Sequence, residues 1–164
     1  MINTIEGNSK SNSDDKFGVV VSKFNEFITE KLLEGCLQTL IKNGANEKNI
    51  DVVKVPGAFE IPTIAKNLLD LNKYDAVICI GAVIRGETSH YEYICNSVSS
   101  EIGKLGTKYG IPVIFGVITC ENIDQAIDRA GGKVGNKGSE AALAAMEMVN
   151  LLKNIKTNNV KTTA

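Results

Sequence analysis

A chain of 164 residues, 43% hydrophobic and 23% charged, is long enough to bury one substantial core and too apolar to be disordered. A formal net charge of −1 provides no global field for nucleic acid or an acidic membrane, and no run reaches the ~18 apolar residues of a membrane span. With a single histidine, four scattered cysteines and no C-x-x-C pair, no zinc-binding set is expected; without a signal-peptide pattern, reduced thiols and a cytoplasmic location are.

The chain opens with a short apolar segment, Ile2 and Ile5 included, followed by a small and polar stretch over residues 7–16 that reads as a linker. Residues 17–22 (FGVVVS) form an apolar run of strand length. Ile28, Leu32, Leu33, Cys36, Leu37, Leu40 and Ile41 then recur at helical spacing, and Asn43-Gly44 stops that helix. Residues 50–55 predict a second strand, and Ile61, Ile64, Ala65, Leu68 and Leu69 a second helix. Residues 75–84 (DAVICIGAVI) are a third strand, followed by a helix with Ile94, Val98, Ile102 and Leu105 on one stripe. A fourth strand over 111–119, a short helix over 123–130 and a longer one from Ser139 to about Leu152 complete the series, with a polar, frayed tail over 156–164. Apolar runs without alternation belong to strands covered on both faces, so the expected fold is a three-layer α/β/α sandwich on a four-stranded parallel sheet. Ligands of such sheets sit beyond the carboxyl ends of the strands.

Three loops there carry candidate chemistry. After the third strand comes Arg85-Gly86-Glu87-Thr88-Ser89-His90-Tyr91-Glu92, where Ser89 and Glu92 have capping-box spacing and His90 falls in the first helical turn. The helix dipole favours a neutral imidazole there, able to move protons, and the amides near Gly86 could hold an anion. A histidine that merely packs the helix start is the open alternative. After the second strand, Pro56-Gly57 makes a sharp exit, and Glu60 is either a hydroxyl acceptor or a favourable N-terminal charge. After the first strand, Phe24 either stacks on a planar ring or packs. The glycine-rich stretch Gly131-Gly132-Lys133-Val134-Gly135-Asn136-Lys137-Gly138 fails the P-loop spacing and joins two helices. Arg129 and Lys133 remain possible phosphate ligands, against a solvated helix end.

Taken in order, Lys23-Phe24-Asn25, VPGAFEIP, GAVIRGETSHYEY, PVIFGVIT and DRAGGKVGNKG resemble the lumazine synthase family from about residue 2 to residue 152. The resemblance implies a flavodoxin-like fold and a transferase without cofactor or metal, acting at the penultimate step of riboflavin biosynthesis. It condenses 5-amino-6-(D-ribitylamino)uracil with 3,4-dihydroxy-2-butanone 4-phosphate to 6,7-dimethyl-8-ribityllumazine, phosphate and water. By the same resemblance Phe24 stacks on the pyrimidine. Ala58, Phe59 and Glu60 hold the ribityl chain, and Ala82, Val83 and Ile84 offer backbone groups to the uracil edge. Glu87 and Thr88 meet the phosphate, His90 shuttles protons, and Phe115 and Arg129 complete the pocket with Lys133 nearby. Position alone would favour Arg85 as the phosphate arginine; the family pattern assigns Arg129 and leaves Arg85 to the loop.

The family's pocket lies between subunits of a pentamer. Residues 1–16 would then be an arm whose strand joins a neighbour's sheet, residues 17–155 the catalytic domain and 156–164 a tail. An icosahedral shell of pentamers, with riboflavin synthase as an enclosed partner, stays open at this point. So does a protein of the same fold that binds flavin or lumazine without turnover.

Overall fold

The apolar runs that lack alternation become the sheet. In the computed structural model, which describes residues 1–162 and the side chains as far as Asn158, β1 (Phe17–Ser22), β2 (Ile50–Val55), β3 (Ala76–Ile84) and β4 (Val113–Cys120) lie parallel in the order β2-β1-β3-β4. Phe17 stands opposite Ile50 on one side and Ala76 on the other, so the first strand lies inside the sheet. Every residue of β1 is buried. The sheet and its helices on both faces bear out the α/β, flavodoxin-like expectation, with strand ends shifted by no more than a residue or two.

Strand periodicity sends alternate side chains to opposite layers. Val19, Val21, Ile78 and Ile80 pack with Ile28, Leu32 and Leu40 of α1 (Glu26–Lys42) and Ala142 and Met146 of α5 (Lys137–Thr162). Val20, Val77 and Cys79 pack with Ile61 and Leu69 of α2 (Ile61–Asp70) and Val98 and Ile102 of α3 (His90–Tyr109). Each fully buried large aliphatic side chain contributes roughly 1.5–3 kcal/mol. Helix α1 ends where Asn43-Gly44 predicted: the Asn43 side chain donates to the Thr39 carbonyl at 2.8 Å, and Gly44 takes φ +107°.

Four local expectations change. The segment between α4 (Ile123–Arg129) and α5 is not a plain loop but a small antiparallel ribbon, β5 (Ala130–Gly132) and β6 (Gly135–Asn136), closed by Gly135 at φ +79°. Helix α5 runs past the expected end near Leu152 to Thr162, because no glycine or proline follows Gly138 to stop it. The tail as far as Thr162 therefore continues α5; residues 163 and 164 lie outside the described residues. The Ser89–Glu92 capping box does not form: α3 starts at His90 as expected, but the Ser89 side chain caps nothing. Lastly, the polar linker does not float free of the body. Asn150 donates to the carbonyls of Asn8 (2.7 Å) and Lys10 (2.5 Å), Asn154 donates to Glu6 (2.8 Å), and buried Asp15 pairs with Lys153.

Candidate active site

From β1 the chain crosses to β2 on one side of the sheet, and from β3 it crosses to β4 on the other. A crevice therefore opens between the carboxyl ends of β1 and β3. Three loops meet there and are tied together by their backbones. Lys23 N–H donates to the Val55 carbonyl at 2.8 Å and Phe24 N–H to the Pro56 carbonyl at 3.0 Å. Asn25, in the left-handed region at φ +60°, donates its amide to the Ala82 carbonyl at 2.9 Å. This anchored backbone projects Phe24 outward, 72% exposed, beside a second loop that leaves Phe59 56% exposed. Within that loop the Glu60 carboxylate accepts the Gly57 N–H at 3.0 Å, which fixes it while leaving lone pairs available. Ala58 is buried beneath it.

The third loop contributes Ala82 and Val83, both buried, and half-buried Ile84 at the strand end. Glu87, Thr88 and His90 are exposed, and the Thr88 hydroxyl accepts the His90 N–H at 3.4 Å. Arg85 is already engaged by two carboxylates: it pairs with Glu121 at 2.6 Å and Glu92 at 3.1 Å. Its guanidinium is already neutralised.

Phe115 and Arg129 stand elsewhere. They line a separate groove of about 400 Å³ along the free edge of β4, together with Lys137, Glu140, Ala141 and Ala144 of α5. Arg129 donates to the Gln125 carbonyl at 3.0 Å and has no carboxylate partner among the described residues, whereas Lys137 is paired with Glu140 at 2.8 Å. Lys133, in the turn between β5 and β6, is not part of the groove wall; Lys137 is. Sequence reasoning passed over Lys137. The signal was there, since a lysine opening a helix opposes the dipole and invites another explanation. One chain thus gathers Phe24, Ala58, Phe59, Glu60, Ala82, Val83, Ile84, Glu87, Thr88 and His90 on one face and Phe115 and Arg129 on another.

A family model described as 6,7-dimethyl-8-ribityllumazine synthase matches residues 14–153, from just before β1 through most of α5. The chain belongs to this family. It is accordingly a transferase with lumazine synthase activity, acting on small molecules in riboflavin biosynthesis. Among the described residues no cluster of histidine, cysteine or acidic side chains is placed to hold a metal ion, and no helix is long and apolar enough to cross a membrane. The four cysteines are free; burial pushes the Cys36 and Cys79 thiols up to about 12, so both stay protonated and inert at neutral pH.

Proposed function

We propose that this lumazine synthase joins 5-amino-6-(D-ribitylamino)uracil to 3,4-dihydroxy-2-butanone 4-phosphate in a site shared by two subunits. The observation that carries this reading is the separation of the two faces: an exposed ring, a hydroxyl acceptor and a histidine on one, and on the other an arginine with no carboxylate partner among the described residues, beside an aromatic ring. A neighbouring copy can unite them. Support for a subunit contact comes from Ile123 and Ile127, one helical turn apart and each 46% exposed, next to Val134 at the same exposure.

In this reading Phe24 stacks on the pyrimidine, Ala58, Phe59 and Glu60 hold the ribityl chain, and the β3 end from Ala82 to Ile84 meets the uracil edge. The N-terminus of α3, at Glu87 and Thr88, and the partner's groove, with its arginine, hold the phosphate. The uracil amine attacks the butanone carbonyl, and water leaves to form an imine. Phosphate is then eliminated, and ring closure releases a second water. His90 carries protons between these steps. No cofactor is required. Residues 17–155 form the catalytic domain, residues 1–16 an N-terminal arm whose linker runs along α5 and whose leading segment, Ile2 to Ile5, adds a strand to a neighbour's sheet, and 156–164 a terminal tail. The enzyme acts in the cytoplasm, as a pentamer or as a closed shell of pentamers with riboflavin synthase as a partner inside; the uninterrupted GGKVGNKG link favours the shell.

Mixing the protein with both substrates and following lumazine absorbance tests the reaction. Binding of lumazine without turnover would replace it by the binding-module reading. Light scattering is expected to give a pentamer or a multiple of it, and a monomer with full activity would sink the shared site. Holding two reactants together supplies several kcal/mol of barrier lowering, up to roughly 7–11, whereas proton transfer adds about 10²–10⁴-fold. His90→Ala is therefore expected to lower kcat by roughly 10²-fold while turnover stays measurable. Complete loss of turnover in an assembled variant would contradict that division of labour.

A further inference from the structure

Arg85 touches no candidate substrate position, yet it is more heavily engaged than any other cation near the site. Its backbone N–H donates to the Cys120 carbonyl at 2.9 Å, extending the β3–β4 ladder by one rung. The side chain forks onto Glu121, with Nε at 2.6 Å and a terminal nitrogen at 3.4 Å. The other terminal nitrogen reaches Glu92 at 3.1 Å, and the guanidinium carbon stands 4.3 Å from the centre of the Tyr91 ring. Tyr91 and Glu92 are the two residues that follow His90. Because the capping box is absent, the first turn of α3 is held from outside through these contacts instead of by its own cap.

We infer that Arg85 is a positioning residue that sets the first turn of α3, and with it Thr88 and His90; this rests on the function proposed above. A planar fork stacked on a ring fixes direction in a way a lysine cannot. The carboxylates it grips are half exposed, and pairs so exposed do little for the stability of a fold. What the arrangement does maintain is geometry. Glu121 is anchored in turn: its N–H donates to the Gln125 side chain at 2.8 Å, and the Gln125 carbonyl accepts Arg129 at 3.0 Å. The clamp therefore rests on the same short helix that presents the groove arginine.

A looser turn misaligns the histidine and the phosphate-facing loop but leaves the pyrimidine contacts, which lie on the loops after β1 and β2. Arg85→Met is expected to lower kcat roughly 10-fold and raise KM for the butanone phosphate several-fold, with KM for the pyrimidine held within about twofold. Arg85→Lys should recover only part of this, and adding Glu121→Gln to Arg85→Met should cost nothing more. A merely structural role would raise both KM values together. If Arg85→Met does not assemble, Arg85→Lys and Glu92→Gln carry the same comparison. An assembled Arg85 variant with wild-type kcat and wild-type KM for the butanone phosphate would overturn the assignment, as would a parallel rise in both KM values.

Wild-type protein that fails to turn over these substrates would refute the proposed reaction, not the clamp. Hydrogen exchange read by mass spectrometry then decides the clamp alone. Peptides spanning residues 86–92 should exchange faster in Arg85→Lys while sheet peptides do not change. Unchanged exchange there would refute it.

Discussion

Replacing Arg129 by alanine is expected to lower kcat/KM for the butanone phosphate about 10- to 100-fold, from a lost charge-assisted contact of roughly 1.5–3 kcal/mol. Most of the effect should appear in KM, because a phosphate carried through several steps is gripped in ground state and transition state alike until it leaves. Most cations around the groove are already satisfied. Arg85 is held by two carboxylates, and Lys137 by Glu140. Arg129 spends one donor on the Gln125 carbonyl and meets no carboxylate among the described residues, so its charge is open to a ligand. Guanidinium geometry also matters: Arg129→Lys keeps the charge but loses the fork and should recover only part of the affinity. Steady-state kinetics with the butanone phosphate varied is the measurement. An unchanged KM in Arg129→Ala would move the phosphate site elsewhere.

The largest expected effect on stability comes from Gly138, where Gly138→Ala should lower the melting temperature by roughly 6–12 °C, corresponding to about 3 kcal/mol of overpacking. Propensity alone predicts the opposite sign, since alanine is favoured over glycine in a helix, by about 0.5–1 kcal/mol in the interior and less in the first turn where Gly138 stands. Close packing reverses it. A Cβ at this position would stand 1.8 Å from the Leu32 carbonyl oxygen, inside the contact between α1 and α5. That contact is stitched on both sides. Asn136 accepts the Gly138 and Ser139 N–H groups at 2.8 and 3.1 Å and donates to Lys31 at 3.0 Å, while the Ser139 hydroxyl donates to Gly35 at 3.0 Å. The helices cannot part without breaking these bonds. Gly103, in α3 with nothing within 4 Å of its missing Cβ, is the control: Gly103→Ala should stabilise by about 0.5–1 kcal/mol. If thermal unfolding showed both variants shifting the same way, the packing account of Gly138 would be wrong.

The same glycine shows why composition misleads in the segment from Gly131 to Gly138. Read locally, it looks like a phosphate cradle. In space Gly135 turns a two-stranded ribbon, and Gly138 lets two helix backbones touch. The capping box failed for a related reason. Ser89 and Glu92 have the right spacing, but Arg85 offers the Glu92 carboxylate a charged partner, which outbids a backbone N–H that solvent can satisfy. Lys133 and Lys137 sit four residues apart in one chain segment, and only the course of the ribbon between them decides which one reaches the groove.

Order and type of the main elements, the two-sided burial of the sheet and the placing of the candidate loops at the carboxyl ends of its first three strands were legible from residues alone. Each depends on periodicity, on stop signals such as Asn43-Gly44, or on a motif confined to one loop, and these are local properties of the chain. His90 at the start of a helix belongs to the same class. The tertiary structure decided the rest: that Arg85 is spent on Glu121, 36 residues away, that Arg129 is not, that the linker is tied to α5, and that Phe115 stands on a different face from Phe24. Such facts depend on distances through space between segments far apart in sequence. No spacing rule encodes them, because they exist only once the core has brought those segments together.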